Sequence, residues 1–128
     1  MEMQVFTAEG IALDWMVAKA MGATNLHYDT IATYWFTLNG KDHALSSGWS
    51  PSQNFAPSTN WVYGGPIIEK ERLCIDIDSA GVWLSYTKQS YDDESRFTNS
   101  GSTALIAAMR CFVVSKLGEK VDVPSALR

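Results

Sequence analysis

Two strongly apolar helical patterns lie near the ends of the chain, and they limit the folds that it can adopt. The first pattern predicts a helix over residues 8–21, with Thr7 as its N-cap. The second predicts a helix over residues 103–117, with Ser102 as its N-cap. The buried stripe of the second helix is Leu105, Met109, Phe112 and Val113. Helices this apolar must be covered by a sheet or by another helix.

The segment between the two helical patterns predicts an antiparallel sheet. Residues 30–38 are rich in β-branched and aromatic side chains and end at an asparagine–glycine turn pair. Residues 73–78 alternate between apolar and polar, and residues 82–87 follow after a short turn, which predicts a hairpin. A chain of 128 residues is long enough for one domain and too short for two. The predicted fold is therefore a single α+β domain over 1–128, with a small antiparallel sheet packed with two main helices.

The stretch 46–68 predicts one long loop that is rich in aromatic and proline residues. It holds three of the four prolines in the chain. Its large aromatic residues are Trp49, Phe55, Trp61 and Tyr63. Loops of this length are uncommon within compact domains and are often functional. The aromatic side chains either fold back as a plug over the sheet edge or form a stacking wall for a planar polar ligand.

A binding role for this loop defines a set of candidate site residues. Aromatic rings would stack on a planar ligand, and amide, hydroxyl and backbone N–H groups would hydrogen-bond to it. The predicted ligand-binding residues are Trp49, Ser50, Asn60, Trp61, Tyr63, Gly64, Gly65, Glu69 and Arg110. Ser102 and Thr103 precede the second helix, where free amides and a positive dipole end make a candidate phosphate site. The same two residues would equally suit an ordinary helix N-cap.

Arg110 interrupts the second helix one position from its buried stripe. In one interpretation its aliphatic stem runs along the core and its guanidinium group reaches water. In the other, the guanidinium group reaches the segment 61–69 and pairs with Glu69 or with a ligand phosphate. The sequence leaves both interpretations open.

The charge balance narrows the classes of ligand. Fourteen acidic residues against ten basic ones give a net charge of −4 (10 − 14). A groove for duplex nucleic acid normally has a basic face, so this balance argues against one. A small anionic ligand stays compatible, because a few basic groups in a pocket can outweigh an acidic exterior. No apolar run approaches the ~20 residues of a membrane helix, so no membrane association is expected.

No catalytic residues and no metal ligands are predicted. The sequence has neither a Gly-x-Ser-x-Gly elbow nor a Gly-rich phosphate loop that ends in Lys-Ser/Thr. His27 and His43 lie in polar segments, and the paired acidic residues fit a solvated face. Cys74 and Cys111 are not spaced as a redox or zinc motif, and they are expected to be buried thiols in a reducing cytosol. No cofactor is expected.

A group of segments spread along the chain carries a family resemblance. These segments are Ala12-Leu13-Asp14-Trp15, Val17-Ala18-Lys19-Ala20, Trp49-Ser50-Pro51-Ser52, Asn60-Trp61, Gly64-Gly65-Pro66-Ile67-Ile68-Glu69, Leu105-Ile106-Ala107-Ala108-Met109-Arg110-Cys111-Phe112-Val113 and Lys116-Leu117-Gly118. Together they resemble the NinX-type family of small phage proteins. The resemblance weakens through 25–45 and 79–101, and residues 53–58 look like an insertion. It implies a dispensable phage accessory protein, and it brings no established activity to carry over.

These observations favour a phage accessory protein of the host cytosol that binds and sequesters a small ligand without catalysis. A purine-containing nucleotide signal of a host defence system would suit a wall of tryptophan and tyrosine rings with an arginine for its phosphate. A protein–protein inhibitor that docks the same aromatic loop on a host factor is the first alternative. A small nucleotide-signal hydrolase is the second. A homo-oligomer is compatible with each of these functions.

Overall fold

The computed structural model describes residues 2–28, 34–46, 54–87 and 98–128. These residues form three α-helices, which are α1 (Gly10–Ala20), α2 (Trp61–Glu71) and α3 (Ala104–Leu117). They also form eight short strands, which are β1 (Glu2–Gln4), β2 (Thr24–Tyr28), β3 (Tyr34–Leu38), β4 (Lys41–Ser46), β5 (Leu73–Ile77), β6 (Trp83–Thr87), β7 (Thr98–Gly101) and β8 (Lys120–Asp122). The predicted α+β class is confirmed.

The described strands pair in three small antiparallel sheets rather than in one. Their orders are β2-β3-β4, β5-β6-β7 and a two-stranded β1-β8 pair. Asn39 and Gly40 form the predicted turn between β3 and β4, with φ of 53° and 77°. A two-residue hairpin turn of this kind needs positive φ at both positions, which asparagine and glycine adopt most readily. The predicted hairpin of residues 73–78 and 82–87 forms as β5 and β6.

Helix α3 lies at the centre of the molecule. Residues Leu105 to Val114 are all buried, so this helix has almost no solvated face. It packs against the β5-β6-β7 sheet, against α1 and against α2. A helix that is apolar on all sides is stable only when it is covered on all sides, and these three elements provide that cover. The prediction that the second helix must be covered by a sheet or by another helix is confirmed.

The starts of both predicted helices need correction. Helix α1 begins at Gly10 rather than at residue 8, because Val5–Thr7 form a separate 3-10 turn and Glu9 is extended. Thr7 is therefore not the N-cap. In α3 the N-cap is Thr103 rather than Ser102, because the Thr103 hydroxyl accepts the Ile106 N–H at 3.1 Å.

The predicted loop over residues 46–68 is wrong in its second half, which is helical. Helix α2 begins at Trp61, and the side-chain oxygen of Asn60 caps it by accepting the Val62 N–H at 3.0 Å. Two glycines and Pro66 lie inside this helix, and such residues normally weaken a helix interior by about 1–3 kcal/mol each. Tertiary packing outweighs that cost, since Ile67 is buried in the core.

Five of the eight described strands were not predicted, which are β1, β2, β4, β7 and β8, and two of them have polar sequences. Strand β2 is mostly exposed, and β7 consists of the polar segment Thr98–Gly101. Part of the strand predicted over residues 30–38 lies outside the described residues, because these do not include 29–33.

Candidate functional site

A surface pocket of about 460 Å³ lies where α2 and α3 both begin. Ser58, Thr59 and Trp61 contribute from the start of α2. Residues 102–106 contribute from the start of α3, and Trp83 contributes from β6. Three segments that are distant in sequence therefore meet around one cavity.

Close packing through a glycine brings the two helix starts together. A Cβ atom on Gly64 would lie only 2.5 Å from the Pro57 carbonyl oxygen and 2.6 Å from Leu105 Cδ2. Only glycine fits at this position without displacing the backbone before α2 or the first turn of α3. Gly101 allows the end of β7 to lie close to α3, because its Cβ would lie 2.6 Å from the Ala107 nitrogen.

Two tryptophan side chains give the pocket its apolar walls. Trp61 is 57% exposed although it is among the largest apolar side chains in the chain. Trp83 is half-buried and lines the same cavity. An exposed aromatic ring at the rim of a pocket is well placed to stack on a planar ligand.

Backbone N–H groups of α3 give the pocket a polar end. The first amides of a helix have no intrahelical acceptor, and at this end the helix dipole is positive. Thr103 satisfies the Ile106 N–H, which leaves Ala104 and Leu105 as the α3 residues whose amides lack an intrahelical acceptor and line the pocket. The start of α2 presents the Trp61 amide in the same way.

Ser58 is a buried residue at the edge of the pocket. It is 1% exposed. Its backbone N–H donates to Asp14 Oδ1 at 2.9 Å, which ties this residue to α1. Burial raises the pKa of Asp14 to about 6, although hydrogen bonding from Ser58 opposes the shift. The position of Ser58 is therefore held by a buried carboxyl group behind it.

Arg110 does not line the pocket. Its Nε donates to the Ala8 carbonyl at 2.9 Å, and its Nη1 donates to the Ser100 carbonyl at 2.9 Å. Burial lowers the pKa of Arg110, and the negative charge of Glu9 opposes that shift. No ion pair joins Arg110 to Glu69 within the described structure, so the predicted pairing of these two residues is wrong. The side chain instead joins α3 to β7 and to the segment before α1.

The pocket unites three of the residues that were predicted on separate grounds, which are Trp61, Ser102 and Thr103. The other described candidates, apart from Arg110, belong to α2 or to its N-cap. Asn60 caps α2, Gly64 and Gly65 belong to its interior, and Glu69 is exposed on its surface.

Tyr63 packs edge-on against Phe55, with ring centroids 5.6 Å apart, and so belongs to an aromatic cluster beneath α2. Trp49 and Ser50 lie outside the described residues. Phe55 is buried, as the predicted plug requires, and Trp61 lines the pocket, where the predicted binding wall stays a prediction.

Among the pocket residues that were not predicted from the sequence are Trp83, Ser58 and Thr59. Trp83 has the ordinary pattern of a strand residue, and its sequence neighbours carry no motif. Its place in the pocket follows from the pairing of β6 with β7, where Trp83 lies opposite Gly101 at the entry to α3. Only that tertiary contact identifies it.

The fold and the pocket together define a small α+β protein with a ligand-sized cavity at two converging helix starts. A family model described as Bacteriophage P22, NinX matches residues 7–116, and the chain therefore belongs to this phage family. The resemblance found in the sequence is thereby confirmed. No curated protein matches the chain. Among the described residues, no helix has the length and apolar character that crossing a membrane requires.

Proposed function

We propose that this NinX-family protein captures a small, planar, nucleotide-type ligand in the pocket and holds it without chemical conversion. The observation that carries the proposal is that Trp61 and Trp83 line the same cavity as the start of α3. Stacking walls and free backbone donors are then close enough to engage one ligand with a ring and an anionic group.

The size of the pocket suits such a ligand. A volume of about 460 Å³ falls within the roughly 300–1,000 Å³ of small-molecule sites. Stacking of a base on an aromatic side chain contributes about 1–3 kcal/mol. Two tryptophans and two or three backbone donors would together suffice for capture at low ligand concentration.

Sequestration needs affinity and no reactive group. The pocket residues are serine, threonine, tryptophan and aliphatic side chains, which are suited to binding. Phages gain from removing the nucleotide messengers of host defence, and a purine-containing messenger would suit this pocket. In this proposal the protein acts in the cytosol of the infected cell.

Paired tryptophan variants test the proposal. Wild-type protein and the Trp61→Ala and Trp83→Ala variants are incubated with a small-molecule extract of defence-active cells, washed, and denatured to release what they retain. We expect wild type to retain a nucleotide that each variant loses by roughly tenfold or more. Tyr28→Ala is the matched control, because Tyr28 is also 57% exposed and lies on β2, outside the pocket. Equal retention by all four proteins would contradict the proposal.

A protein partner is the second candidate, and one observation favours it. Val62 is 74% exposed beside Trp61, and Ile77 and Val82 are 49% and 39% exposed. Exposed apolar side chains of this kind are common where proteins dock. Val62→Asp would remove such a partner in a pull-down and leave ligand retention intact, because Val62 does not line the pocket. Recovery of a cleaved nucleotide would instead favour the hydrolase alternative.

A further inference from the structure

We propose that strand β5 pairs with the same strand of a second copy of this chain, in an antiparallel register centred on Ile75. The two β5-β6-β7 sheets would then form one continuous sheet across a two-fold axis. The occupant of the edge is a second copy because β5 complements itself in this register, both in hydrogen bonding and in charge. This inference is independent of the proposed function.

Strand β5 has one open edge. The Asp78 N–H donates to the Val82 carbonyl at 2.9 Å, which makes residues 78 and 82 a hydrogen-bonded pair at the end of the β5-β6 ladder. Such pairs alternate along an antiparallel ladder, so the backbone N–H and C=O groups of Leu73, Ile75 and Ile77 point away from β6. No other strand of the described chain lies on that side of β5, since β5 is the outer strand of its sheet.

The other three outer strands of the three-stranded sheets are protected. Strand β2 has an irregular register with β3, and such bulges discourage pairing at an edge. On β4 the Ala44 carbonyl accepts the Phe55 N–H at 2.7 Å, and on β7 the Ser100 carbonyl accepts from Arg110 at 2.9 Å. Strand β5 pairs with β6 in an unbroken register and contains no proline or lysine, so it lacks these usual protections of an edge.

The outward backbone groups determine the register of the self-pairing. Outward residues must face outward residues, so Ile75 would lie opposite Ile75 of the partner subunit and Ile77 opposite Leu73 of the partner subunit. This register engages all three outward residues of each strand, whereas a two-fold axis at any neighbouring position would leave one of them unpaired. Ile77 is 49% exposed in the single chain, and the pairing would cover it with another apolar side chain.

The charges near β5 are also complementary in this register. Asp76 would lie opposite Cys74 of the partner subunit, and Arg72 of the partner subunit would lie one diagonal step away, within reach of a long side chain. Asp76 and Arg72 are both exposed in the single chain, where the Asp76 carboxylate accepts the Ile77 N–H at 2.8 Å. On pairing, the carbonyl of the partner's Leu73 would accept that N–H, which releases the carboxylate to pair with Arg72 of the partner subunit.

The first test is the mass of the full chain, measured by sedimentation and light scattering from about 1 to 300 μM. We expect a reversible monomer–dimer equilibrium with a Kd of about 1–100 μM, because paired five-residue strands make a small interface. Ile77→Lys places a charge at the edge and should raise this Kd by about tenfold or more. Val62→Lys is the matched control, because Val62 is 74% exposed and lies on α2. It should leave the Kd unchanged.

The second test uses Asp76→Cys to examine the register itself. This variant places a thiol opposite Cys74 of the partner subunit in a non-hydrogen-bonded pair, where Cα atoms about 4.5 Å apart suit a disulfide. Oxidised glutathione takes two electrons and two protons from each pair of thiols and is reduced to two molecules of glutathione. We expect a covalent dimer on a non-reducing gel, whereas Val62→Cys, treated in the same way, should remain a single chain.

Three results would overturn the proposal. One is a wild-type chain that stays monomeric up to about 300 μM, and another is an equal Kd for wild type and a folded Ile77→Lys. The third is a failure of folded Asp76→Cys to form the covalent dimer, and this result decides the matter even where Ile77→Lys does not fold. Since none of these measurements involves a ligand, such a failure would leave the proposed function standing.

Discussion

Asp14 carries a carboxyl group in a place from which water is nearly excluded. Its side chain is 5% exposed, and its Oδ1 accepts the Ser58 N–H at 2.9 Å. Burial raises the pKa of this carboxyl group to about 6, because desolvation of the charge outweighs the stabilising hydrogen bond. A single side chain of α1 thus holds the floor of the pocket in place, and its charge state changes near physiological pH.

This shift predicts a pH dependence of stability. The pKa of Asp14 rises from 3.8 to about 6 on folding, so the folded chain binds more protons than the unfolded chain between these values. The stabilisation is complete below the unfolded pKa and is lost as the pH rises through 6, which amounts to about 3 kcal/mol. The asparagine of Asp14→Asn does not titrate. The unfolding free energy of the variant minus that of wild type should therefore increase by this amount as the pH rises through this range.

Urea unfolding at a series of pH values between about 3 and 7.5 measures that difference. Subtraction removes the titration of all other groups, which the two proteins share. A difference that stays constant with pH would show that Asp14 has an ordinary pKa.

The buried side chain of Arg110 links α3 to β7 and to the segment before α1. Its hydrogen bonds to the Ala8 and Ser100 carbonyls are both 2.9 Å long. Arg110→Met keeps the apolar stem but leaves two carbonyls without this donor, and it should lower the free energy of unfolding by about 2–3 kcal/mol. Lys70→Met, at an exposed cation on α2, should change it by less than about 0.5 kcal/mol. Wild-type stability in Arg110→Met, measured by urea unfolding, would contradict this role.

Helix α2 depends on tertiary contact more than on its own sequence. Two neighbouring glycines in this helix meet different surroundings, which provides a controlled comparison. A Cβ on Gly64 would overlap the Pro57 carbonyl at 2.5 Å, whereas a Cβ on Gly65 would meet only Trp61 Cε3, at 3.9 Å.

Gly64→Ala should therefore destabilise the fold by about 2 kcal/mol or more, since α2 must move away from α3. Gly65→Ala should be neutral or stabilising by up to about 1 kcal/mol, because alanine favours the helix. Urea unfolding of both variants gives the comparison. Equal effects at the two positions would mean that α2 does not approach α3 as closely as described.

Elements with strong apolar periodicity were predictable, and elements that depend on neighbours were not. The apolar pattern of Leu105 to Val113 identified α3, and these residues are all buried in the structure. Helix α2 was missed because Gly64, Gly65 and Pro66 favour a loop locally, and its stability comes from contacts with α3. Strand β7 was missed because it is a short polar strand that exists through pairing with β6.

The molecule as a whole brings its candidate site together from distant segments. Trp61 and the residues at the start of α3 could be proposed from the sequence, because exposed aromatic residues and helix starts have recognisable patterns. Their meeting around one cavity could not, since it depends on the Gly64 contact with Leu105. Ser58 and Trp83 carried no local signal and entered the site only through the fold.

The measurement that tests the central claim most directly is the content of the pocket in protein from infected or defence-active cells. The purified chain is heat-denatured and filtered, and the filtrate is analysed by mass spectrometry beside its ultraviolet absorbance. We predict an intact nucleotide-type ligand from wild type and an empty filtrate from a folded Trp61→Ala, Trp83→Ala double variant. An empty filtrate from folded wild-type protein, or the same ligand from the double variant, would contradict capture in this pocket.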